Sequence, residues 1–334
     1  MNTKQHEPDR EGFSQALAEW FAEHGRSYPW RQTSDPWAIL VSEVMLQQTT
    51  IPTVLARYSD WLSKYPTPAA LAAATEEEAL RSWEGLGYYR RVRALRATAL
   101  AIVHEHGGCF PTQEEEIRRL PGIGDYTVGA LQSFAWNRPA PLVDANVSRV
   151  FARIYNDSTP IDSTAGRKKH WEWAAQLVHP TRARAYNSAL MELGQTICTP
   201  KRPNCLLCPV RQWCRAEAPE KLPAKLAKKE LQSMEHWDIW HLTERGLLLE
   251  KQQPQGRHAG MYRLPRRSRQ EAEQYPLICH QKYSVTRYKV TRHLHRAPAD
   301  AELPLNPGEE YISPAALTDM PLASPDRKLV LKLM

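Results

Sequence analysis

Leu120-Pro-Gly-Ile-Gly-Asp-Tyr-Thr127 ends one apolar, helix-like stretch and opens another. Two glycines two residues apart let the backbone turn through φ > 0 and point N–H groups outward, and the run from Asp125 onward reads as a helix. Such a turn at a helix N-terminus can cradle a phosphate, with Gly122 and Gly124 as its contact points; the plainer alternative is an ordinary connector between helices. Outward from it, from Phe13 to about Leu193, apolar residues recur at helical spacing. Asp35-Pro36 and Thr67-Pro68 read as helix starts, Thr75 with Glu78 as a capping box, and Gly107-Gly108 and Pro121-Gly122 as stops. Short helices joined by tight turns predict a compact, mainly α domain.

After Cys214 the composition shifts to a Pro- and Lys-rich stretch from Pro219 to Lys229, a linker by its lack of an apolar face. Beyond it, Trp237–Leu242 and Leu247–Glu250 flank a turn at Gly246, and Tyr283–Leu294 is long and β-prone. The expected organisation is a helical domain over 1–217, a linker over 218–231 and a small α+β domain over 232–334, with no internal repeat. In the 334 residues, 42% hydrophobic and 24% charged side chains supply a core and exclude disorder along the whole length. No run approaches the roughly 18 apolar residues of a membrane span, and the first ten residues lack the apolar core of a signal peptide, so a soluble, cytoplasmic monomer is expected. The 44 Lys and Arg against 37 Asp and Glu give +7, which favours a polyanionic partner without proving one.

Four of the six cysteines follow the spacing Cys198-x6-Cys205-x2-Cys208-x5-Cys214. Clustering of this kind points to metal or redox chemistry and away from a disulfide scaffold. Four thiolates on one short loop suit a [4Fe-4S] cluster. Zinc is the alternative, although structural zinc usually takes two close cysteine pairs and here only Cys205 and Cys208 are close. Lys201, Arg202, Arg211 and Arg215 on the same loop offer cations to a phosphate backbone, or are ordinary solvated charges.

Two carboxylates sit among apolar neighbours. Glu43 lies in Ala38-Ile-Leu-Val-Ser-Glu-Val-Met-Leu46, and burial there would raise its pKa to suit a general acid. Asp144 lies in Leu142-Val-Asp-Ala-Asn-Val147 and reads equally as a helix N-cap. Two carboxylates in different environments are what cleavage of an N-glycosidic bond needs, one to protonate the leaving base and one to stabilise an oxocarbenium-like sugar.

With these pieces assembled, the chain resembles the MutY-type adenine DNA glycosylases of the helix-hairpin-helix, iron–sulfur superfamily. The resemblance runs through Tyr28-Pro-Trp-Arg-Gln-Thr33, Val41-Ser-Glu-Val-Met-Leu-Gln-Gln-Thr49, Trp83-Glu-Gly-Leu-Gly-Tyr-Tyr89, Leu120–Thr127, Val143–Val150 and the cysteine loop. It implies an enzyme acting on double-stranded DNA with a mismatched adenine, opposite 8-oxoguanine or guanine, and a [4Fe-4S] cofactor. Glu43 would protonate the flipped adenine, Asp144 would stabilise the sugar cation, and Tyr126 and Asn146 would support them. Arg31 would line the base pocket, Gln48 and Thr49, with Gln47 beside them, would meet the opposite strand, and Tyr88 would wedge into the base stack. Glu192 falls where the family often keeps an acidic residue near the pocket. Tyr126 stands where the related lyases carry a Schiff-base lysine, which implies a monofunctional enzyme.

More weakly, the C-terminal part resembles the family's MutT-like domain. Gly256–Pro265 fits one of its motifs, and no Nudix hydrolase box is visible. The family's Phe-Ser-His lesion-reading loop has Val285-Thr286-Arg287 before Tyr288 as its counterpart, with Tyr283-Ser284-Val285 as another register; Thr286 and Arg287 would contact the lesion with altered preference. Asp144-Ala-Asn also replaces the family's frequent Asp-Gly-Asn. The rival readings are a related glycosylase for another base, such as thymine opposite guanine, and a lesion-binding protein that does not cut.

Overall fold

The computed structural model describes residues 8–227, 230–253, 260–285, 287–317 and 320–334. By contact the chain forms two units: the described residues up to Ala73 with Ala94–Ala227, and Ala74–Arg93 with the described residues after Ala227. A boundary drawn along the sequence near 217–232 does not anticipate the grouping of Ala74–Arg93 with the C-terminal part.

The helices are α1 (Arg10–His24), α2 (Pro36–Leu46), α3 (Ile51–Lys64), α4 (Pro68–Ala73), α5 (Glu76–Ser82), α6 (Arg90–Glu105), α7 (Glu114–Arg119), α8 (Asp125–Phe134), α9 (Ala145–Ile154), α10 (Thr164–Leu177) and α11 (Ala183–Thr196). Local sequence sets their starts. Asp35 accepts from the N–H groups of Trp37 and Ala38 with Pro36 in the first turn, and Thr75 and Glu78 form both bonds of a capping box. α2 is buried from Trp37 to Met45, the condition of a helix that is apolar on every side. Phe13 and Leu17 of α1, Val150 and Phe151 of α9, and Leu190 and Leu193 of α11 share one core. Val210 and Trp213 of the cysteine loop join that core, with Trp213 edge-on to Phe13 at 5.6 Å. Each such side chain, fully buried, contributes roughly 1.5–3 kcal/mol.

The hairpin between α7 and α8 needs glycine once for its turn. Gly122 has φ +77°, and a Cβ there would stand 2.7 Å from the Cβ of Ala94. Gly124, expected to share the positive φ, is extended at φ −110° as the N-cap of α8, so the turn is made at one glycine and not two. A Cβ at Gly124 would meet nothing, which leaves the start of α8 open to close approach. Thr98 of α6 fixes the turn by donating to the Pro121 carbonyl at 2.6 Å.

The stretch expected to be a linker is partly tied down. Ile161 donates its N–H to the Ala224 carbonyl, Leu226 donates to Asp162, and Arg153 donates to the Leu222 carbonyl, so residues up to Ala227 belong with the helical unit.

Besides α5 and the first turn of α6, the elements of the other unit are β1 (Gln232–Trp240), β2 (Leu242–Thr243), β3 (Gly246–Lys251), β4 (Tyr262–Arg263), β5 (Arg266–Arg267), α12 (Arg269–Ala272), β6 (Leu277–Val285), β7 (Tyr288–Arg296), β8 (Glu309–Ile312), α13 (Pro314–Leu317) and α14 (Ser324–Leu333). They build a β5-β1-β7-β6 sheet, in which β1 and β7 are parallel, and a β2-β3-β4 sheet with β8 on β3. The stretch Trp237–Leu242 is therefore shared between two sheets, and Tyr283–Leu294 divides into the hairpin β6–β7 with Val285 opposite Tyr288. Neither Thr286 nor Arg287 is a Gly, Asn or Asp that would mark a tight turn, so the sequence hides the break. Buried Asp238 on β1 faces Arg292 of β7 at 2.7 Å, and Arg292 reaches Asp326 of α14 at 3.0 Å.

Candidate active site

A pocket of about 630 Å³ in the helical unit gathers Glu43, Tyr126, Asp144 and Asn146. Glu43 comes from the middle of the buried helix α2, Tyr126 from the first turn of α8, and Asp144 and Asn146 from the start of α9. Gly194 of α11 permits that convergence, because a Cβ there would lie 2.7 Å from the Cβ of Asn146. Arg31, Gln47, Gln48 and Thr49 line the same pocket, the last three on the segment between α2 and α3.

The two carboxylates are held differently. Glu43 is 5% exposed, and burial pushes its pKa from 4.5 up to about 7. The Tyr126 hydroxyl donates to Glu43 Oε2 at 2.7 Å and pulls the other way, while the neighbouring Asp144 adds to the rise. Asp144 is also raised by burial, but it accepts from the Val147 N–H at 2.7 Å and from Asn146 Nδ2 at 2.8 Å, bonds that favour the anion. It is thus an N-cap and a pocket residue at once. Arg149 holds Asn146 by donating to its Oδ1 at 2.8 Å, and its Nε donates to the Cys198 carbonyl at 2.7 Å. One carboxyl is poised to carry a proton near neutrality, and the other is tied as an acceptor.

Glu192 does not line the pocket. It is fully buried, bonded by Arg26 at 2.5 Å and paired with Arg31 Nη1 at 2.8 Å in an ion contact whose angles fall short of a hydrogen bond. The Arg31 guanidinium that faces it also lies 4.9 Å from the Tyr28 ring. Gly122 and Gly124 are on the hairpin and outside the pocket wall. Tyr88 falls in the other unit, 59% exposed at φ +47°, with the Arg91 guanidinium 5.6 Å from its ring. Arg287 is exposed at the tip of the β6–β7 hairpin and donates to the Tyr288 hydroxyl at 3.0 Å. Thr286 and Gly256–Ala259 of the Gly256–Pro265 motif lie outside the described residues. Sequence reading missed Arg149, Arg184, Ser188 and Gln195; the periodicity of α9 and α11 shows which residues share a face, but not that those faces meet at the pocket.

The four cysteines line a separate cavity of about 360 Å³. Among the described residues no three His, Cys, Asp or Glu are grouped so as to hold a single metal ion. Arg153, 2% exposed, donates to Cys198 Sγ at 3.2 Å and otherwise to the carbonyls of Thr199, Pro200 and Leu222. A buried guanidinium with no carboxylate partner calls for negative charge from the thiols. Burial together with the other sulfurs pushes Cys208 up to about 12, so its thiolate too calls for a cation. Four sulfurs, a shared cavity and a buried counter-charge fit a thiolate-bound iron–sulfur cluster.

Residues 41–176 match the family described as HhH-GPD superfamily base excision DNA repair protein, a span that holds the hairpin and all four of Glu43, Tyr126, Asp144 and Asn146. The human adenine DNA glycosylase is 42% identical over 213 residues, 61% of this chain and 39% of the human protein, so the match extends over about two-fifths of that relative. The adenine DNA glycosylase of Mycolicibacterium smegmatis is 38% identical over 216 residues, 64% of this chain and 73% of its own length. A solved thermostable thymine-DNA glycosylase superposes with a TM-score of 0.58 at 30% identity, over 62% of this chain and 95% of its own. The chain belongs to the HhH-GPD superfamily of base excision DNA repair proteins and, within it, to the MutY-type adenine DNA glycosylase family.

Proposed function

We propose that this protein is a monofunctional DNA glycosylase that hydrolyses the N-glycosidic bond of adenine mispaired with 8-oxoguanine or guanine and leaves an abasic site. The observation that carries the reading is the meeting of Glu43, Tyr126 and Asp144 in one pocket large enough for a flipped base. Near neutral pH a sizeable share of Glu43 is protonated. With the Tyr126 hydroxyl on Oε2, Oε1 is the oxygen left to hand a proton to the leaving base. As the bond stretches, positive charge grows on the sugar, and the anion of Asp144, held by Val147 and Asn146, stabilises it. Water then completes the hydrolysis. Among the described residues that line the pocket, Tyr126 and no lysine stands beside Glu43, which supports the monofunctional reading.

The chain's partner is DNA, held by the hairpin at Gly122–Gly124 and by Gln47, Gln48 and Thr49 at the pocket, with Tyr88 entering the stack. Cys198, Cys205, Cys208 and Cys214 would hold a [4Fe-4S] cluster, which supplies a rigid, charged clamp for the loop that carries Lys201, Arg202, Arg211 and Arg215. Arg287, with Thr286, would read the opposite base from the β6–β7 tip.

Single-turnover cleavage of duplexes with adenine opposite 8-oxoguanine, guanine or cytosine, each with and without alkali, tests the reading. Rapid alkali-dependent breakage opposite 8-oxoguanine is expected. Equal rates opposite guanine would remove lesion reading from Arg287, and release of thymine opposite guanine in place of adenine would move the chain to the activity named for its structural relative. Cys205→Ser should lose visible absorbance and bind DNA more weakly; full colour would overturn the ligand assignment.

A further inference from the structure

Tyr88 is an exposed aromatic side chain whose backbone lies in the left-handed region, at φ +47°, a conformation that a residue with a Cβ adopts at a cost. Trp83, Leu86 and Tyr89 around it are buried, so the loop is anchored on both sides of the one ring it presents. Between the anchors, Gly85 and Gly87 have φ +86° and +66°, and a Cβ at Gly87 would meet nothing within 4 Å. Left to its own backbone, a Gly-Leu-Gly segment in open space would let the following ring swing.

Arg91, in the first turn of α6, removes that freedom. It is buried, and although burial lowers its pKa to about 10, it keeps its charge at neutral pH. Its Nη2 donates to the carbonyls of Leu86 at 2.8 Å and Gly87 at 3.0 Å, the two that immediately precede Tyr88. Trp83 Nε1 donates to the same Gly87 carbonyl at 3.1 Å, and the Arg91 N–H donates to the Tyr88 carbonyl at 2.9 Å. The guanidinium lies 5.4 Å from the Trp83 ring and 5.6 Å from the Tyr88 ring. One planar cation thus ties the backbone before the exposed ring and stands beside the ring itself. A buried guanidinium is badly placed to meet a phosphate, so its charge serves the loop and not the DNA backbone.

We propose that Arg91 is the positioning residue of the Tyr88 wedge: it stiffens the loop so that the ring enters the base stack without being pushed aside, and so sets how readily the mismatched adenine leaves the duplex. This rests on the reading of Tyr88 as the residue that enters the stack. Opening a base step costs free energy, and a wedge on a loose loop would yield before the stack did.

The test follows the opening of the stack apart from the chemistry. A duplex carries 2-aminopurine beside a mismatched adenosine whose 2′-fluorine slows bond cleavage, and unstacking raises the fluorescence. In Arg91→Met that rise should shrink by at least about threefold, while binding to a duplex that already holds an abasic analogue stays within about twofold. Arg91→Lys keeps the charge but offers a point donor in place of a planar fork, so it should lose about half of the rise. The lysine variant carries the same test if the methionine variant does not fold. With the cleavable duplex, single-turnover excision should slow at least about fivefold in Arg91→Met, yet by less than about twofold when the same change is made in Tyr88→Ala. A full rise in either Arg91 variant would overturn the proposal, as would an equal slowing with and without the Tyr88 ring. A salt dependence of binding that drops by about one ion in Arg91→Met would overturn it too, by making Arg91 a phosphate contact. A full rise in Tyr88→Ala would instead overturn the reading of Tyr88 as the wedge.

Discussion

Both units bury carboxylates and pair most of them with guanidinium groups, Glu192 of the helical unit with Arg26 and Arg31 included, and Glu43 is the exception. In the strand-rich unit, Asp238 faces Arg292 and Arg266, Asp326 faces Arg292, and Glu309 is paired with Arg267. Each buried negative charge has a guanidinium beside it. In the helical unit, Glu43 is buried to a similar degree and its nearest partner is the hydroxyl of Tyr126, with Arg31 acting on it only as the weakest of the named influences. A paired carboxylate stays an anion and locks strands together; an unpaired one carries a proton at a pH where water has few to give. Burial alone therefore does not mark an active-site acid. Burial without a compensating cation does.

The comparison is most open to attack at Glu43. Glu43→Gln keeps the shape and removes the transferable proton, so single-turnover excision should fall by roughly 10²–10⁴-fold while binding to a mismatched duplex persists. A rate within tenfold of the original would end the general-acid assignment. In the other unit, Asp238→Ala strands Arg292 and Arg266 without one of their anions, and the expected effect is a loss of about 3–5 kcal/mol in unfolding free energy. An unfolding midpoint unchanged in denaturant would mean that these pairs do not carry the sheet.

Sharper still is the pH dependence. The pKa of Glu43 is raised from 4.5 to about 7, so between those values the folded chain keeps a proton that the unfolded chain has lost. Stability should therefore fall as pH rises through that window, and Glu43→Gln should be the more stable protein above it by up to about 3 kcal/mol. Thermal unfolding of both proteins at the two ends of the window checks the sign. Excision should decline along the same limb as the acid form is lost. The smallest effect belongs to Tyr126→Phe: removing a hydrogen bond that favours the carboxylate should move the falling limb of the pH–rate profile upward, by roughly one unit. A limb that stays in place would show that the hydroxyl does not tune Glu43.

Legibility followed the range of the interactions concerned. Asp35-Pro36 and Thr75 with Glu78 act within one helical turn, and the helix starts read from them hold. Seven apolar residues among the nine from Ala38 to Leu46 pointed to burial of Glu43, with a solvated helix face as the alternative, and α2 is buried from Trp37 to Met45. The β6–β7 hairpin was hidden because Thr286-Arg287 carries no turn residue, and Gly124 has the extended backbone that any residue adopts. Glu192 entered only through the resemblance, and its contacts with Arg26 and with Arg31, which lines the pocket, come from the tertiary structure.

By itself the sequence determined the capped helices, the position of the hairpin, the four-cysteine loop and the two carboxylates in apolar company, because spacing, capping and hydrophobic period are local properties. Only the tertiary structure decided that Tyr126 reaches Glu43, that Asn146, itself held by Arg149, ties Asp144 down, and that Arg153 is buried against Cys198. Those facts depend on which helix faces meet and on how much water is left between them, and side chains far apart along the chain come within hydrogen-bond reach only when the core closes.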